Sequence, residues 1–231
     1  MSLILLIETA TTSCSVALAN NGHLIALREI NQRNIHAEVI TVYIHELFVE
    51  SAKTIEQLDA IAVSSGPGSY TGLRIGVSTA KGLCFALDKP LIAVETMESM
   101  SRGYKARGSF KVNSGTLLCP MIDARRMEVY TALFGSDGNT LTPTTAEIID
   151  ENSFADVLDK HPVIFFGDGA EKCREALGHD PNALFDGDFV NSAQDMLTIA
   201  EKKLNAHIFA DVAYYEPYYL KEFIAGVKKS M

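Results

Sequence analysis

The order of apolar and amphipathic segments constrains this chain more than any other feature, because it runs through the same plan twice. LILLIE (3–8), CSVALAN (14–20) and HLIALREI (23–30) are short apolar or alternating runs. The last two are joined by Asn21-Gly22, a pair that accepts the positive φ a tight hairpin turn requires. HAEVITVYIHELF (36–48) then sets Val39, Ile40, Tyr43, Ile44, Leu47 and Phe48 at helical spacing. DAIAVSSG (59–66) reads as a buried strand, a helix follows to about Asp88, and PLIAVE (90–95) is a further strand. Downstream, LLCPMID (117–123), MEVYTALFG (127–135) and TLTPTTAEII (140–149) are strand-like, with a turn at Ser136-Asp137-Gly138-Asn139. SFADVLDK (153–160) is a short helix, PVIFFG (162–167) a strand and AEKCREAL (170–177) a helix. The spacing therefore predicts an α/β chain of two lobes, each on a β-β-β-α-β-α plan. The polar, glycine-bearing stretch SRGYKARGSFKVNSG (101–115) is the expected joint. The N-terminal lobe spans 1–100 and the C-terminal lobe 101–209, where AQDMLTIAEKKLNA (193–206) reads as a helix. The tyrosine-rich tail, 210–231, is expected to return to the first lobe.

A chain of 231 residues with 47% hydrophobic residues can bury cores for two such lobes. Its net charge of −9 gives no overall basic field for nucleic acid or an anionic membrane, so any RNA is expected to be held mainly by something else. No apolar stretch reaches the roughly 18 residues that span a bilayer. The start MSLILLIETA lacks the basic opening and long apolar segment of a secretory signal, so the expected compartment is the cytoplasm, without a membrane partner. Cys14, Cys84, Cys119 and Cys173 are too dispersed for a zinc cluster and fit reduced core thiols.

The loop SSGPGSYTGLRIG (64–76) sits where α/β enzymes often hold phosphate, between a strand and a helix start. It matches neither GxxxxGK[ST] nor GxGxxG, and Arg74 is its only cation. Gly72, Gly76 and Ala80 fall at i, i+4 and i+8, leaving one helix stripe nearly bare. Glycine within a helix costs about 0.5–1 kcal/mol relative to alanine, so the stripe points to close packing, against either this chain or another subunit. Asp123, Arg125, Arg126 and Glu128 crowd one strand corner. They read equally as a bracing salt-bridge network or as an exposed fork that docks a partner or contacts an anion. His36 and His45 are nine residues apart and fit capping or surface roles rather than a metal site. Ser13, Ser65, Ser69 and Thr71 have no adjacent His/Asp arrangement of a hydrolase. Tyr214, Tyr215, Tyr218 and Tyr219, around Pro217, are suited to packing the tail down.

The doubled plan resembles the architecture shared by actin, sugar kinases and Hsp70-type ATPases, the ASKHA fold. More specifically, IETATTSCSVAL, SSGPGSYTGLRIGVSTAKGLCFAL, IDARRMEVYTALF and EPYYLKE resemble the TsaB (YeaZ) family. Members of that family are needed to make N6-threonylcarbamoyladenosine in tRNAs reading codons that start with A. The resemblance implies a non-catalytic subunit that binds and organises its catalytic paralogue TsaD. The ATPase TsaE would join the assembly, and TsaC would separately supply the threonylcarbamoyl-adenylate. TsaD holds its metal through an HxxxH motif; here the matching positions are Thr96 and Met100, so no metal is expected on this chain. The first nucleotide loop, Glu8-Thr9-Ala10-Thr11-Thr12-Ser13, lacks glycine. The second, Asp123-Ala124-Arg125-Arg126, carries two large cations, and the adenosine-side loop is reduced to Gly167-Asp168-Gly169. ATP and metal are therefore expected on partner subunits. By the same resemblance the N-terminal lobes pair through helices 36–50 and 69–87. The expected contact residues are Tyr43, Phe48, Tyr70, Gly72, Leu73, Gly76 and Ala80, and a homodimer through that surface is expected when the partner is missing. Two competing readings are an active ASKHA-fold ATPase or kinase, which requires nucleotide binding by this chain alone, and a metallopeptidase, which requires metal ligands the sequence does not offer.

Overall fold

The computed structural model describes residues 2–221. The chain opens with β1 (Leu3–Glu8), β2 (Ser13–Asn20) and β3 (His23–Asn31), followed by α1 (His36–Ser51), β4 (Ala60–Ser64), α2 (Tyr70–Leu87), β5 (Leu91–Val94) and α3 (Thr96–Arg107). Their sheet has the order β3-β2-β1-β4-β5. β1 runs antiparallel to β2 and parallel to β4, with β5 parallel beyond. The β2–β3 turn is made by Asn21 and Gly22, at φ +50° and +74°.

The second half repeats this with β6 (Leu117–Asp123), β7 (Glu128–Thr131), β8 (Thr145–Ile148), α4 (Ala155–Leu158), β9 (Val163–Phe166), α5 (Arg174–Leu177), β10 (Ala183–Asp186) and α6 (Leu197–Asn205). Its sheet order is β10-β9-β6-β7-β8, the first sheet's order read from the other edge. The duplication is thus present strand by strand.

Both faces of each sheet are covered, which explains why the central strands are apolar throughout. Leu3, Leu5 and Ile7 meet the side carrying α1 and α2, whereas Ile4 and Leu6 meet Met196, Ile199 and Ala200, in and just before α6. In the second sheet Leu117, Cys119 and Met121 share a core with Leu158 of α4 and Leu177 of α5. Leu118 and Ile122 pack instead with Met97, Met100 and Tyr104 of α3. The helices α3 and α6 are therefore exchanged: α3 follows the first sheet but covers the second, and α6 follows the second but covers the first. A division at 100/101 cuts through α3, and 193–205 packs away from the segment it follows.

Several expected boundaries shift for local reasons. Residues 101–107, expected in the joint, are the second half of α3, whose Ser101, Gly103 and Tyr104 are buried. β8 begins only at Thr145, because Pro143 has no backbone donor for a ladder. The expected strand 127–135 is regular only to Thr131, with Phe134 returning as an isolated bridge to Leu118. Residues 170–177 divide into a 3-10 turn and α5, and 193–206 into a 3-10 turn and α6. The strand β10 has no counterpart in the sequence reading.

After α6 the chain returns along the first sheet's edge, where the Ala210 amide donates to Leu91 O at 2.8 Å. Lys81 Nζ donates to Ala213 O at 3.1 Å and Tyr215 O at 2.9 Å, and Tyr218 N donates to Ser65 O at 2.7 Å. Lys221 then pairs with Glu128 of the second sheet. The expectation for 222–231 lies outside the described residues. Among the described residues no helix is long and apolar enough to cross a membrane.

Candidate functional site

The glycine-bearing loop is occupied from within. Ser69 caps α2, its Oγ accepting from Gly72 N at 3.2 Å, while Ser69 N donates to Ala10 O at 2.6 Å. Ser65 N donates to Val94 O, and Gly66 N to Thr96 Oγ1 at 3.1 Å. Four backbone donors of the loop, those of Ser65, Gly66, Ser69 and Gly72, are thus engaged by the chain itself. The bare helix stripe seats the turn after β1. A Cβ on Gly72 would lie 2.2 Å from Thr9 O, and one on Gly76 equally close to Thr9 Oγ1. Gly72, Leu73, Gly76 and Ala80 are all buried inside the monomer, which corrects their expected place on a partner surface. Leucine at Gly76 would therefore disturb the monomer itself, not only a complex.

Thr96 and Met100 are also interior: Thr96 is tied to Gly66 through both its amide and its hydroxyl, and Met100 belongs to the core under α3. Among the described residues no three His, Cys, Asp or Glu side chains are grouped to hold a metal. His36 is buried at the start of α1, its Nε2 within 3.0 Å of Thr11 O and 3.2 Å of Ser13 O, where it braces the first loop.

Between the lobes, the segment before α6 fills the floor of the cleft. Thr11 Oγ1 donates to Asn191 Oδ1 at 2.6 Å, Ala193 N to Ser15 Oγ at 3.0 Å, and Ser192 Oγ to Glu29 Oε2 at 2.6 Å. Arg107 of α3 grips Asp195 with both Nε and Nη2, at 2.9 and 2.7 Å. Glu8 lies wholly inside. Burial pushes its carboxyl up to about 7, against the lowering effect of the Ala10 amide, which donates to Oε1 at 2.6 Å. Its Oε2 and the Asn191 Nδ2 have no hydrogen-bond partner among the described residues.

The charged corner at the β6–β7 turn resolves into two parts. Lys172 pairs with Asp123 and donates to Glu128 O at 2.7 Å, and Lys221 pairs with Glu128, so a bracing network exists. Arg125 and Arg126 stand outside that network, exposed and at φ +72° and +49°.

The surface that offers apolar contact lies between α1 and α2. A groove of about 410 Å3 is lined by Thr41, Ile44, His45, Phe48, Ile55, Thr79 and Leu83. Beside it on α1, Val42 and Val49 are 51% and 68% exposed, and Phe85 on the outward side of α2 is 86% exposed. Of the expected contact residues Phe48 lines this groove. Tyr43 packs partly against the first core, and Tyr70 meets Tyr219 of the tail in a tilted ring contact with centroids 4.9 Å apart. Val42 and Val49 were missed, although their seven-residue spacing off the core phase of α1 is a second apolar stripe visible in the sequence.

Two lobes with one strand order, joined across a cleft by exchanged helices, define the duplicated actin/Hsp70-like ATPase fold. A family model described as "TsaD: tRNA N6-adenosine threonylcarbamoyltransferase" matches residues 26–225. The "tRNA threonylcarbamoyladenosine biosynthesis protein TsaB" of Escherichia coli (strain K12) is 33% identical over 97% of each chain. The Bacillus subtilis (strain 168) protein of the same description is 33% identical over 71% of this chain and 70% of its own. The solved structure of YeaZ from Pseudomonas aeruginosa superposes with a TM-score of 0.78 at 25% identity, covering 95% of this chain and 100% of that one. The chain belongs to the TsaB (YeaZ) family of tRNA threonylcarbamoyladenosine biosynthesis proteins.

Proposed function

We propose that this chain is a non-catalytic subunit that binds and organises TsaD, together with TsaE, for N6-threonylcarbamoyladenosine formation in tRNAs reading codons that start with A. ATP and metal belong to the partner subunits, and most of the tRNA is held by the complex. The observation that carries this reading is the apolar groove between α1 and α2, lined by Ile44, Phe48, Ile55 and Leu83, on helices that also expose Val42, Val49 and Phe85. An apolar groove flanked by exposed apolar side chains marks an interaction surface. Two further observations support it: four backbone donors of the glycine loop are engaged internally, and Asn191 to Asp195 bond Thr11, Ser15 and Arg107 between the lobes.

Light-scattering chromatography of the chain with TsaD from the same organism, with and without TsaE and ATP, tests the proposal. A one-to-one complex is expected, and Val49→Asp or Phe85→Asp should weaken it at least tenfold while the variant monomer keeps its melting temperature. Unaltered complex formation by both variants, or nucleotide turnover by the chain alone, would overturn the reading. A homodimer that persists in the presence of TsaD would assign the face to a second copy.

A further inference from the structure

A polar pocket spans the two lobes, lined by one arginine and two aspartates and flanked by a turn that carries two more arginines. A pocket of about 290 Å3 is lined by Thr12, Asn31, Gln32 and Arg33 from the first lobe and by Asp123 and Asp168 from the second. Every one of these side chains is polar. Asn31 Oδ1 accepts from Thr12 Oγ1 at 2.6 Å, Asp168 Oδ1 accepts from Asp123 N at 3.0 Å, and Asp123 is paired with Lys172. Arg33 has no hydrogen bond or ion pair from its side chain among the described residues.

Next to this pocket stands the β6–β7 turn, with Arg125 N donating to Asp123 Oδ1 at 2.9 Å. The turn is closed by Ala124 N to Glu128 O at 3.0 Å and Glu128 N to Arg125 O at 3.1 Å. Both arginines occupy the left-handed region, where glycine or asparagine is the ordinary choice. Neither guanidinium makes a hydrogen bond or ion pair among the described residues. Two arginines without an ion pair among the described residues, held at a left-handed turn beside a pocket that Arg33 lines, are poorly explained by stability.

We infer that this pocket takes a sugar–phosphate segment of RNA, with Arg125, Arg126 and Arg33 on phosphates, and the amide and carboxylate lining facing ribose hydroxyls. Planar guanidinium suits phosphate bidentately, and the 2′-hydroxyl both donates and accepts. A protein segment fits less well, because protein interfaces centre on an apolar core that this lining lacks. The net charge of −9 makes the contact short-range, a matter of a few phosphates added to what a partner supplies. The inference rests on the assembly proposed above only in naming tRNA as the RNA.

The test is a fluorescence anisotropy titration of a labelled tRNA transcript over a salt series, on the chain alone and on its mixture with TsaD, with complex formation followed by light scattering in the same samples. The Arg125→Gly/Arg126→Gly pair removes both guanidiniums while glycine keeps the left-handed turn, so its melting temperature should hold or rise. The slope of log affinity against log salt should fall by about 1.5–2, as for two lost phosphate contacts, and affinity should fall about tenfold at moderate salt. Arg33→Gln should remove a further part of the slope, and the double lysine variant should retain most of it. An unchanged slope in a sample where the complex forms overturns this inference and leaves the proposed function standing. Failure of the complex overturns the proposed function, and the chain-alone titration still decides the RNA contact. Displacement of tRNA by ATP or pyrophosphate at this cleft would assign it to a free nucleotide. Loss of TsaD binding in the glycine pair with the salt slope intact would assign the turn to a protein. Either result rejects the RNA site.

Discussion

Glycines of one helix play opposite parts, and α2 holds both kinds. Gly72 meets the Thr9 carbonyl so closely that a methyl group has no place, whereas Gly82 has nothing within 4 Å of where its Cβ would stand. Alanine favours helix over glycine by about 1 kcal/mol at either position. Gly82→Ala should therefore stabilise the protein by about 0.5–1 kcal/mol. Gly72→Ala should destabilise it by about 2 kcal/mol, because overpacking against backbone outweighs the helical gain. Urea denaturation of the two variants checks the contrast, and equal effects would show that the stripe is not close-packed. Glu8 makes a second residue-scale prediction. Burial raises its carboxyl from the ordinary 4.5 to about 7, so the folded state holds a proton that the unfolded chain releases between those values. Stability contributed by the neutral form is complete below about 4.5 and is lost as pH rises through about 7, a change of about 3 kcal/mol for a shift of this size. Glu8→Gln keeps an acceptor for the Ala10 amide and should flatten the stability profile between about pH 4.5 and 7. A profile identical to that of the parent chain would place the titration elsewhere.

At the scale of elements, the first sheet and its two long helices were legible because each segment is long enough to show its period. β1 to β5, α1 and α2 stand where alternation and 3.6-residue spacing put them. The elements that escaped are short or are defined by tertiary contact: β10 has four residues, and α5 is a single turn after a 3-10 segment. The second half of α3 is rich in polar residues, yet Gly103 is buried against Asp195 and Tyr104 against Phe166 and Phe189, contacts no local pattern reveals. The candidate contact residues show the same limit. Periodicity shows that Gly72, Gly76 and Ala80 share a stripe, but not whether that stripe faces Thr9 or solvent. The outward valines of α1 carry a readable signal that the stronger core phase overshadowed. The charged corner was legible as composition, and only the backbone geometry separates Lys172 and Asp123, which brace it, from Arg125 and Arg126, which do not.

For the whole molecule the exchange of α3 and α6 makes each lobe's core depend on the other half of the chain. The sheet of β1 to β5 needs Met196, Ile199 and Ala200 on one face, and the sheet of β6 to β10 needs Met97, Met100 and Tyr104. A chain ending at residue 114 should therefore fail to fold, exposing Ile4, Leu6 and Ile92 to water. The full chain should unfold in one transition, with tyrosine fluorescence and far-ultraviolet circular dichroism coinciding. A folded, monomeric 1–114 fragment would contradict this. Between β1 and α6 the backbone passes from one lobe to the other twice, near Glu95 and near Val190. The first passage is pinned by the paired bonds of Thr96 and Gly66, the second by Thr11 with Asn191. Arg107 with Asp195 and Lys221 with Glu128 tie the lobes at further points, so any relative motion of the lobes must break side-chain bonds as well as bend the two backbone passages.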